Sequence, residues 1–348
     1  MKFSHALEAE VLAEEHYGAW DHFVAGQERT GSIFSTVQYM DILCRAAGGS
    51  FSVAAIRDGD SFIAGLGVYR RRILGHEVIS HRMLLSYNGP VLRDDLFAAT
   101  GSRSKGFEAL NALCRFLSRQ NVSGVTLHCR DGHQDFRPFL NRGWGASPFY
   151  TIVVPTADSG QLWNRFDRNA RRLVRRAEES GCTVEPDGDF DFFYHAHQEI
   201  HRRKGAPLYL PEAAFRRFVD DLAAAGLGVI FTARLASGVP AAAQLQLLGR
   251  HRCSHTVCAG SDGAHLWTGA GYLLRWRAFV ELGARGYASN DLTNASYGDV
   301  TRFKEQLGGT LTITMSLRSR QRLSYRLARR GRAWYRTARS LLLPGKRG

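Results

Sequence analysis

Apolar positions along the chain follow two alternating spacings, and this alternation predicts a mixed α/β fold. In the first half, residues 51–57 and 62–70 alternate apolar and polar side chains around a turn at 58–60, which predicts a β-hairpin. Residues 107–117 then carry apolar side chains at helical spacing, and residues 124–129 have the pattern of a strand. Strands that alternate with helices indicate a mixed sheet with helices packed on it.

The second half repeats this order of elements with little residue identity. The same patterns predict a pair of strands, a helix and a further strand, followed by a last strand, at 227–235, 241–248, 270–284, 287–292 and 310–316. A chain of 348 residues is also long enough for two domains. We therefore expect two α/β units and a tail, with boundaries at 1–155, 156–317 and 318–348.

Positive charge is concentrated at the C-terminal end. The net charge is +14, but residues 317–348 hold eleven Lys or Arg and no acidic residue, which leaves +3 for the rest. At helical spacing the tail forms an apolar stripe opposite a row of arginines; the stripe contains Leu323, Leu327, Trp334, Ala338 and Leu341. Such a helix is typical of a membrane interface, so residues 318–343 are predicted to bind an anionic membrane surface. An RNA-binding arm, a partner helix and a solvated tail packed on the body are the alternatives.

Several classes of protein lack support in the sequence. No apolar run is long enough to cross a membrane, and acidic residues from Glu8 to Glu15 interrupt any signal peptide. We therefore expect a cytoplasmic protein. If the tail binds lipid, the protein is expected at the inner face of the plasma membrane. The six cysteines form no CxxC pair, and His197 and His201 lack the HExxH context, so we expect no metal site. GxSxG and P-loop motifs are absent.

The stretch Tyr287–Leu311 carries the residues best suited to catalysis. A predicted strand ends at Asp291, and a loop then leads to a short helix that contains Arg302, Phe303 and Lys304. Transfer to an amine needs a group that handles the amine proton and a charge that stabilises the oxyanion. We predict Asp291, Lys304 and Tyr297 as catalytic residues. The alternative is that Asp291 caps the loop and Lys304 is its structural partner.

An arginine-rich helix, Gln161–Ser180, is predicted to contact phosphates. Arg172 and Arg176 are the residues that we assign to binding, because guanidinium groups hold phosphate bidentately and crowded like charges favour an anionic partner. The phosphates could belong to a tRNA backbone or to a lipid pyrophosphate. A solvated helix face, balanced by its own acidic residues, is the alternative. Lys204, at the end of a later helix, is a further candidate for an anionic substrate.

Four motifs in this order resemble the GNAT acyltransferase superfamily, in its tandem-domain FemABX-like branch. They lie at Asn169–Gly181, His201–Gly205, Thr268–Trp276, and Asp291–Lys304 with Gly308-Gly309. The resemblance spans most of Ser35–Ser316. It implies two GNAT-like domains and transfer of an acyl or aminoacyl group to an amine. It also implies acyl-CoA or aminoacyl-tRNA as donor, and peptidoglycan precursors or other envelope components as acceptor.

The glycine loop before the helix at 270–284 fits that resemblance only in part. Gly269 and Gly271 occupy the positions of the superfamily's CoA pyrophosphate loop, but Leu266 stands where the pattern has Gln or Arg. A glycine loop that opens a helix can present amides to phosphate, whereas close packing alone also selects glycine. Further predicted binding residues line strands or the short helix near Asp291; they are Gln244, His255, Arg302 and Phe303.

The sequence therefore predicts an acyltransferase that uses acyl-CoA or aminoacyl-tRNA and modifies an amine, for example of an envelope or polysaccharide precursor. Acyl-CoA is the expected co-substrate if the glycine loop binds phosphate. The first alternative is a tRNA-dependent peptidoglycan-bridge aminoacyltransferase, which the missing Gln or Arg favours. The second, from a different class, is an inactive GNAT-like scaffold that binds anionic membrane or RNA.

Overall fold

The protein is a mixed α/β structure in the arrangement that the sequence predicts. The computed structural model describes residues 7–97, 100–186, 188–296 and 298–342. Its strands are β1 Glu10–Val11, β2 Ser50–Asp58, β3 Ser61–Ile73, β4 His76–Ser80, β5 Val91–Leu92, β6 Val125–Cys129, β7 Gly145–Pro155, β8 Thr183–Glu185, β9 Gly228–Arg234, β10 Pro240–Leu247, β11 Cys253–Ser261, β12 Ser289–Asp291 and β13 Thr310–Arg318.

Helices follow or separate these strands along the chain. They are α1 Tyr17–Gly26, α2 Val37–Ala47, α3 Thr100–Ser118, α4 Arg137–Leu140, α5 Ser159–Arg165, α6 Arg168–Glu179, α7 Phe190–Lys204, α8 Glu212–Ala224, α9 Ala270–Ala284, α10 Asp299–Glu305 and α11 Leu323–Leu342. A 3₁₀ segment, Gly263–Thr268, precedes α9.

One continuous sheet joins the two halves. Its order is β1-β2-β3-β4-β6-β13-β7-β12-β11-β10-β9-β8, and β5 pairs with β3 beside this path. Strand β13, the last strand of the second half, lies between β6 and β7 of the first half. Strand β7, the last strand of the first half, lies between β13 and β12 of the second half. Most neighbours are antiparallel, but β4–β6 and β11–β12 are parallel pairs. These two pairs occupy equivalent places in the two halves.

Helices cover both faces of the sheet in the C-terminal half. One face carries α7 and α8 with α2 of the first half, and its core includes Phe193, Phe218 and Leu245. The other face carries α9, which packs against α6; Phe231 and Leu274 belong to the core under α9. Elements from distant parts of the chain therefore frame strand β11 from both sides.

The basic C-terminal helix α11 attaches to the first half through its first turns. Tyr325 is 5% exposed and its ring lies against His76, with ring centroids 5.4 Å apart. Arg322 donates a hydrogen bond to Asn121 Oδ1 at 2.5 Å. Within the described residues no helix is long and apolar enough to cross a membrane. The predicted tail beyond residue 342 lies outside the described part of the chain.

Candidate active site

Strand β11 is paired on both edges at its start and on one edge only at its end. Residues 253–255 pair with Ser289–Asp291 of β12, in parallel. Strand β11 then continues to Ser261 along β10, whereas β12 stops at Asp291. Within the described residues, no backbone group pairs with 257–261 on the side that β12 leaves. An unpaired strand edge of this kind can take an extended ligand by main-chain hydrogen bonds.

The loop after β12 turns away from β11 and is held in an unusual conformation. Thr293 and Asn294 have φ values of 42° and 54°, in a region that costs free energy for residues other than glycine. Lys304 Nζ donates to the carbonyl oxygens of Leu292, Thr293 and Asn294 at 2.7, 2.6 and 2.7 Å. The single ammonium group therefore fixes the turn that leaves the edge of β11 open.

Asp291 supports the same loop from its other side. Its Oδ1 accepts from the Thr293 amide at 2.7 Å and from Thr151, and its Oδ2 accepts from Tyr87 at 2.7 Å. Burial raises the pKa of Asp291, but His255 and these hydrogen bonds outweigh it and hold the pKa at about 2. The carboxylate is ionised and fully engaged, which makes it a weak proton acceptor.

Lys304 and Asp291 meet through the loop and not through a direct ion pair. Burial, with Arg275 and Lys204 as neighbouring charges, lowers the pKa of Lys304 to about 8. Lys304 is thus close to losing its proton at a slightly alkaline pH. The geometry gives both residues a role in positioning the loop, and their predicted catalytic roles remain predictions.

The side of α9 that faces the sheet contains a buried arginine, Arg275, on the opposite face of the sheet from Asp291. Arg275 is 8% exposed and donates to Gln244 Oε1; within the described residues it has no carboxylate partner. Burial lowers its pKa to about 10, so it remains charged at neutral pH. A buried charge without a counterion is costly, so an anionic ligand would relieve that cost.

Gln244 extends this site into a polar network. Its Nε2 donates to Gln246 Oε1 at 3.4 Å, and Gln246 Oε1 also accepts from Thr256 at 2.8 Å. Thr256 is 2.9 Å from Asn290 Oδ1, and Asn290 donates to Ser254 at 3.0 Å. The predicted binding residue Gln244 is buried, so its part is to hold Arg275 in place.

Other predicted site residues lie in packed surroundings. His255 is fully buried beside Phe34, with ring centroids 4.8 Å apart, and burial lowers its pKa. Phe303 packs edge-on against Tyr272 at 4.7 Å. Direct contact between these two side chains and a substrate is therefore not supported by the geometry.

The glycine loop before α9 meets a packing requirement. Gly269 has a φ of 84°, and a Cβ there would lie 2.3 Å from the carbonyl oxygen of Leu173 on α6. A Cβ at Gly271 would lie 3.3 Å from Ser261 Oγ, at the end of β11. Gly269 is explained by close approach of two helices, whereas Gly271 places the start of α9 beside the open strand edge.

The arginines of α6 form an exposed basic surface near the same end of β11. Arg172 and Arg176 are exposed, and the guanidinium of Arg176 lies 5.3 Å from the ring of Trp267, which is 65% exposed. Asp167 and Glu179 border this surface together with Arg168, Arg171, Arg172, Arg175 and Arg176. Within the described residues these arginines make no ion pair, which keeps them free for phosphate.

The remaining predicted site residues are either exposed or outside the described part of the chain. Lys204, at the end of α7, is exposed and contributes to the charge around Lys304. Arg302 is exposed on α10. Tyr297 lies outside the described residues. Within the described part of the chain, no group of three or more His, Cys, Asp or Glu is placed to hold a metal ion.

A cysteine close to the opening is unsuited to covalent catalysis. Cys258 Sγ lies 3.0 Å from His197 Nδ1, and burial raises the pKa of Cys258 to about 12. Burial also lowers the pKa of His197 to about 4. The pair therefore consists of a neutral thiol and a neutral imidazole, whereas a nucleophilic cysteine is a thiolate.

Three partners in this region were not found by sequence reasoning. Tyr87 and Thr151 come from the first half and reach Asp291 across the central strands. Only the fold brings them there. Arg275 did carry a signal, because it interrupts the buried side of α9 between Leu274 and Ala278.

Residues 164–305 match the family model of the acetyltransferase (GNAT) domain. No curated protein sequence matches the chain. Among solved structures, FemX aligns with a TM-score of 0.69 at 14% identity, over 88% of this chain and 96% of FemX. A conserved protein of unknown function from Bacteroides thetaiotaomicron aligns with a TM-score of 0.57 at 10% identity, over 90% and 99% of the chains.

A third similar structure is the C-terminal domain of a candidate lysylphosphatidylglycerol synthetase from Agrobacterium fabrum, with a TM-score of 0.55 at 10% identity, over 88% and 92% of the chains. The family match identifies residues 164–305 as an acetyltransferase domain of the GNAT superfamily, which the sequence resembles, and the fold is shared with FemX. The shared fold agrees with the FemABX-like branch that the sequence resembles.

Proposed function

We propose that the chain transfers an acyl or aminoacyl group from a phosphate-bearing donor to an amine, and that the reaction takes place at the open edge of β11. The observation that carries the proposal is the excess of positive charge around this opening. Lys304 holds the loop beside this opening, the charges of Arg275 and Lys204 are close enough to act on Lys304, and the carboxylate of Asp291 is already engaged by its own donors. Anionic substrates would supply the missing charge.

Direct attack by the amine is the reaction that suits these groups. The neutral amine nitrogen adds to the donor carbonyl, and the tetrahedral intermediate carries a negative oxygen. Collapse of this intermediate breaks the C–S bond of the thioester or the C–O bond of the ester, the proton lost by the amine nitrogen passes to the departing sulfur or oxygen, and an amide remains. Lys304 donates its three ammonium hydrogens to the loop, so its charge would stabilise the oxyanion through space, while Asp291 holds the same loop in place.

Two donors fit the surroundings of this site. Acyl-CoA would place its pyrophosphate near the start of α9 and the arginines of α6, and its pantetheine arm along β11. Aminoacyl-tRNA would use the same basic surface for its backbone phosphates. Aminoacyl-tRNA is the second candidate donor. The arginines of α6 and the exposed Trp267 support it, because stacking and phosphate contacts together are typical of nucleic-acid surfaces.

The acceptor that we propose is the amine of an envelope or polysaccharide precursor, at the inner face of the plasma membrane. Such precursors carry phosphates, which suit the positive charge of Arg275 and Lys204. One structure with a similar fold is named as a lysylphosphatidylglycerol synthetase domain, which agrees with a phosphate-bearing acceptor at a membrane.

The test compares the donors on the full chain. Purified protein is heated with acetyl-CoA, longer acyl-CoA, charged tRNA or uncharged tRNA, and the amide product with an amino-sugar or peptidyl acceptor is followed by mass spectrometry. We expect one donor class to raise the melting temperature and to yield amide. Arg172→Gln with Arg176→Gln should weaken the binding of whichever donor reacts, because both donors are proposed to place phosphates on the arginines of α6. Failure of both classes to bind and to react would refute the proposal.

A further inference from the structure

Two leucines on the exposed side of α11 are not covered by anything in the described chain. Leu323 and Leu327 are 63% and 56% exposed, whereas Tyr325, between them in sequence, is 5% exposed against the body. At 100° per residue, the two leucines lie about 160° from Tyr325. The helix therefore docks by one face and presents its leucines on the opposite face. The sequence continues this stripe at Trp334 and Leu341.

The charges around this stripe identify the partner. Arg326 and Arg330 lie on one flank of the leucines and are exposed, and residues 317–348 contain no acidic residue. A solvated helix would be polar on its exposed face, and a protein partner would need no such excess of one charge. An apolar stripe bordered by arginines matches the interface of an anionic bilayer.

We propose that α11 is an interfacial helix that holds the protein on an anionic lipid surface, with the leucines in the lipid and the body above them. Tyr325 and Arg322 set this orientation, because they fix the start of the helix to the first half. The inference is independent of the proposed reaction, since α11 belongs to neither the opening at β11 nor the arginines of α6.

The experiment is co-sedimentation of the full chain with vesicles of phosphatidylglycerol and phosphatidylcholine, or of phosphatidylcholine alone. We expect binding to the anionic vesicles only. Leu323→Ser with Leu327→Ser should reduce the partition coefficient about tenfold or more. Leu140→Ser, which removes an exposed leucine from the first half, should leave binding unchanged and is the matched control. The melting temperature of each variant checks that it is folded.

Charge is tested separately from apolar contact. Arg326→Gln and Arg330→Gln should each reduce binding about fivefold at low salt, and the loss should shrink as salt is added. Vesicle binding that survives the double leucine change would overturn the proposal. So would loss of vesicle binding in favour of tight binding to a single-stranded RNA probe, since RNA would need the arginines but not the leucines.

Discussion

Each half of the chain has an equivalent parallel pair of strands, β4–β6 or β11–β12, but the strand edge beyond the pair is closed in the first half and open in the second. Beside β6 of the first half, the segment that leads to β5 closes the edge beyond β4. Asn88 Nδ2 donates to the Thr126 carbonyl at 3.1 Å, and Asn88 Oδ1 accepts from the His128 amide at 2.8 Å. The amides of Asn88 and Gly89 both donate to the His128 carbonyl. Beside β11 of the second half, the equivalent edge remains open.

The helices between the paired strands differ in the same sense. The buried side of α3 is apolar, with Leu110, Leu113 and Leu117 in the core of the first half. The buried side of α9 contains Arg275. The first half thus pairs its strand edge beneath an apolar helix, whereas the second half has an unpaired edge beneath a helix that contains a buried arginine. This contrast supports the prediction that the first half shapes the site and the second half carries the chemistry.

Among the predicted changes, replacement of the buried arginine in the second half should have the largest effect on activity. Arg275→Met should reduce kcat/KM about 100-fold, because the anionic substrate loses its buried partner. Stability should stay within about 1 kcal/mol, because the change also removes the cost of burying an unpaired charge. Steady-state kinetics and urea unfolding measure the two effects.

Arg277→Met is the control on the same helix. Arg277 is exposed and pairs with Glu178 at 2.7 Å, so its replacement should change neither property appreciably. Full activity in Arg275→Met would mean that the buried charge serves the fold alone.

Disruption of the closed strand edge in the first half should have the reverse effect, a loss of stability with little change in activity. Asn88→Ala removes two hydrogen bonds to the buried backbone of β6, so we expect unfolding to become easier by about 2–4 kcal/mol. The transfer rate per folded molecule should remain within about twofold, because no ligand uses that edge. Asn111→Ala breaks only surface contacts with Arg142 and is the stability control. A large loss of activity with little loss of stability would place a second binding site in the first half.

The fold class and the order of elements could be predicted because they depend on local patterns. The hairpins at β2–β3 and β9–β10 have alternating residues and short turns, and α3 and α9 have helical spacing. The place of β13 between β6 and β7 could not be predicted, since its local sequence does not distinguish one neighbour from another. The joined sheet follows from that exchange of strands.

The site in the region of Asp291 and Lys304 stays a prediction, and the sequence does not give the contacts that the structure shows there. A strand-end carboxylate followed by a lysine indicates a loop with opposite charges nearby. The sequence does not say that the lysine binds three carbonyl groups, or that Tyr87 and Thr151 from the other half bind the carboxylate. Such contacts join residues far apart in the chain, so no spacing rule contains them.

The titration of Lys304 is the smallest predicted effect and the sharpest test of the open half. Its pKa is about 8 in the folded protein, against 10.5 for an exposed lysine in the unfolded chain. Below pH 8 both the folded and the unfolded chain hold the proton, whereas between 8 and 10.5 only the unfolded chain does. The linkage relation then requires stability to rise with pH through this window.

Comparison with Lys304→Met isolates this contribution, because titrations elsewhere are common to both proteins. Between about pH 7.5 and about pH 10, the wild type should gain roughly 2 kcal/mol of stability relative to the variant, measured by urea unfolding. Donor affinity should fall over the same range in the wild type only, because an anion favours the charged lysine. A pH-independent difference would mean that the three carbonyl groups keep Lys304 protonated throughout, and that its role in the open half is to hold the loop.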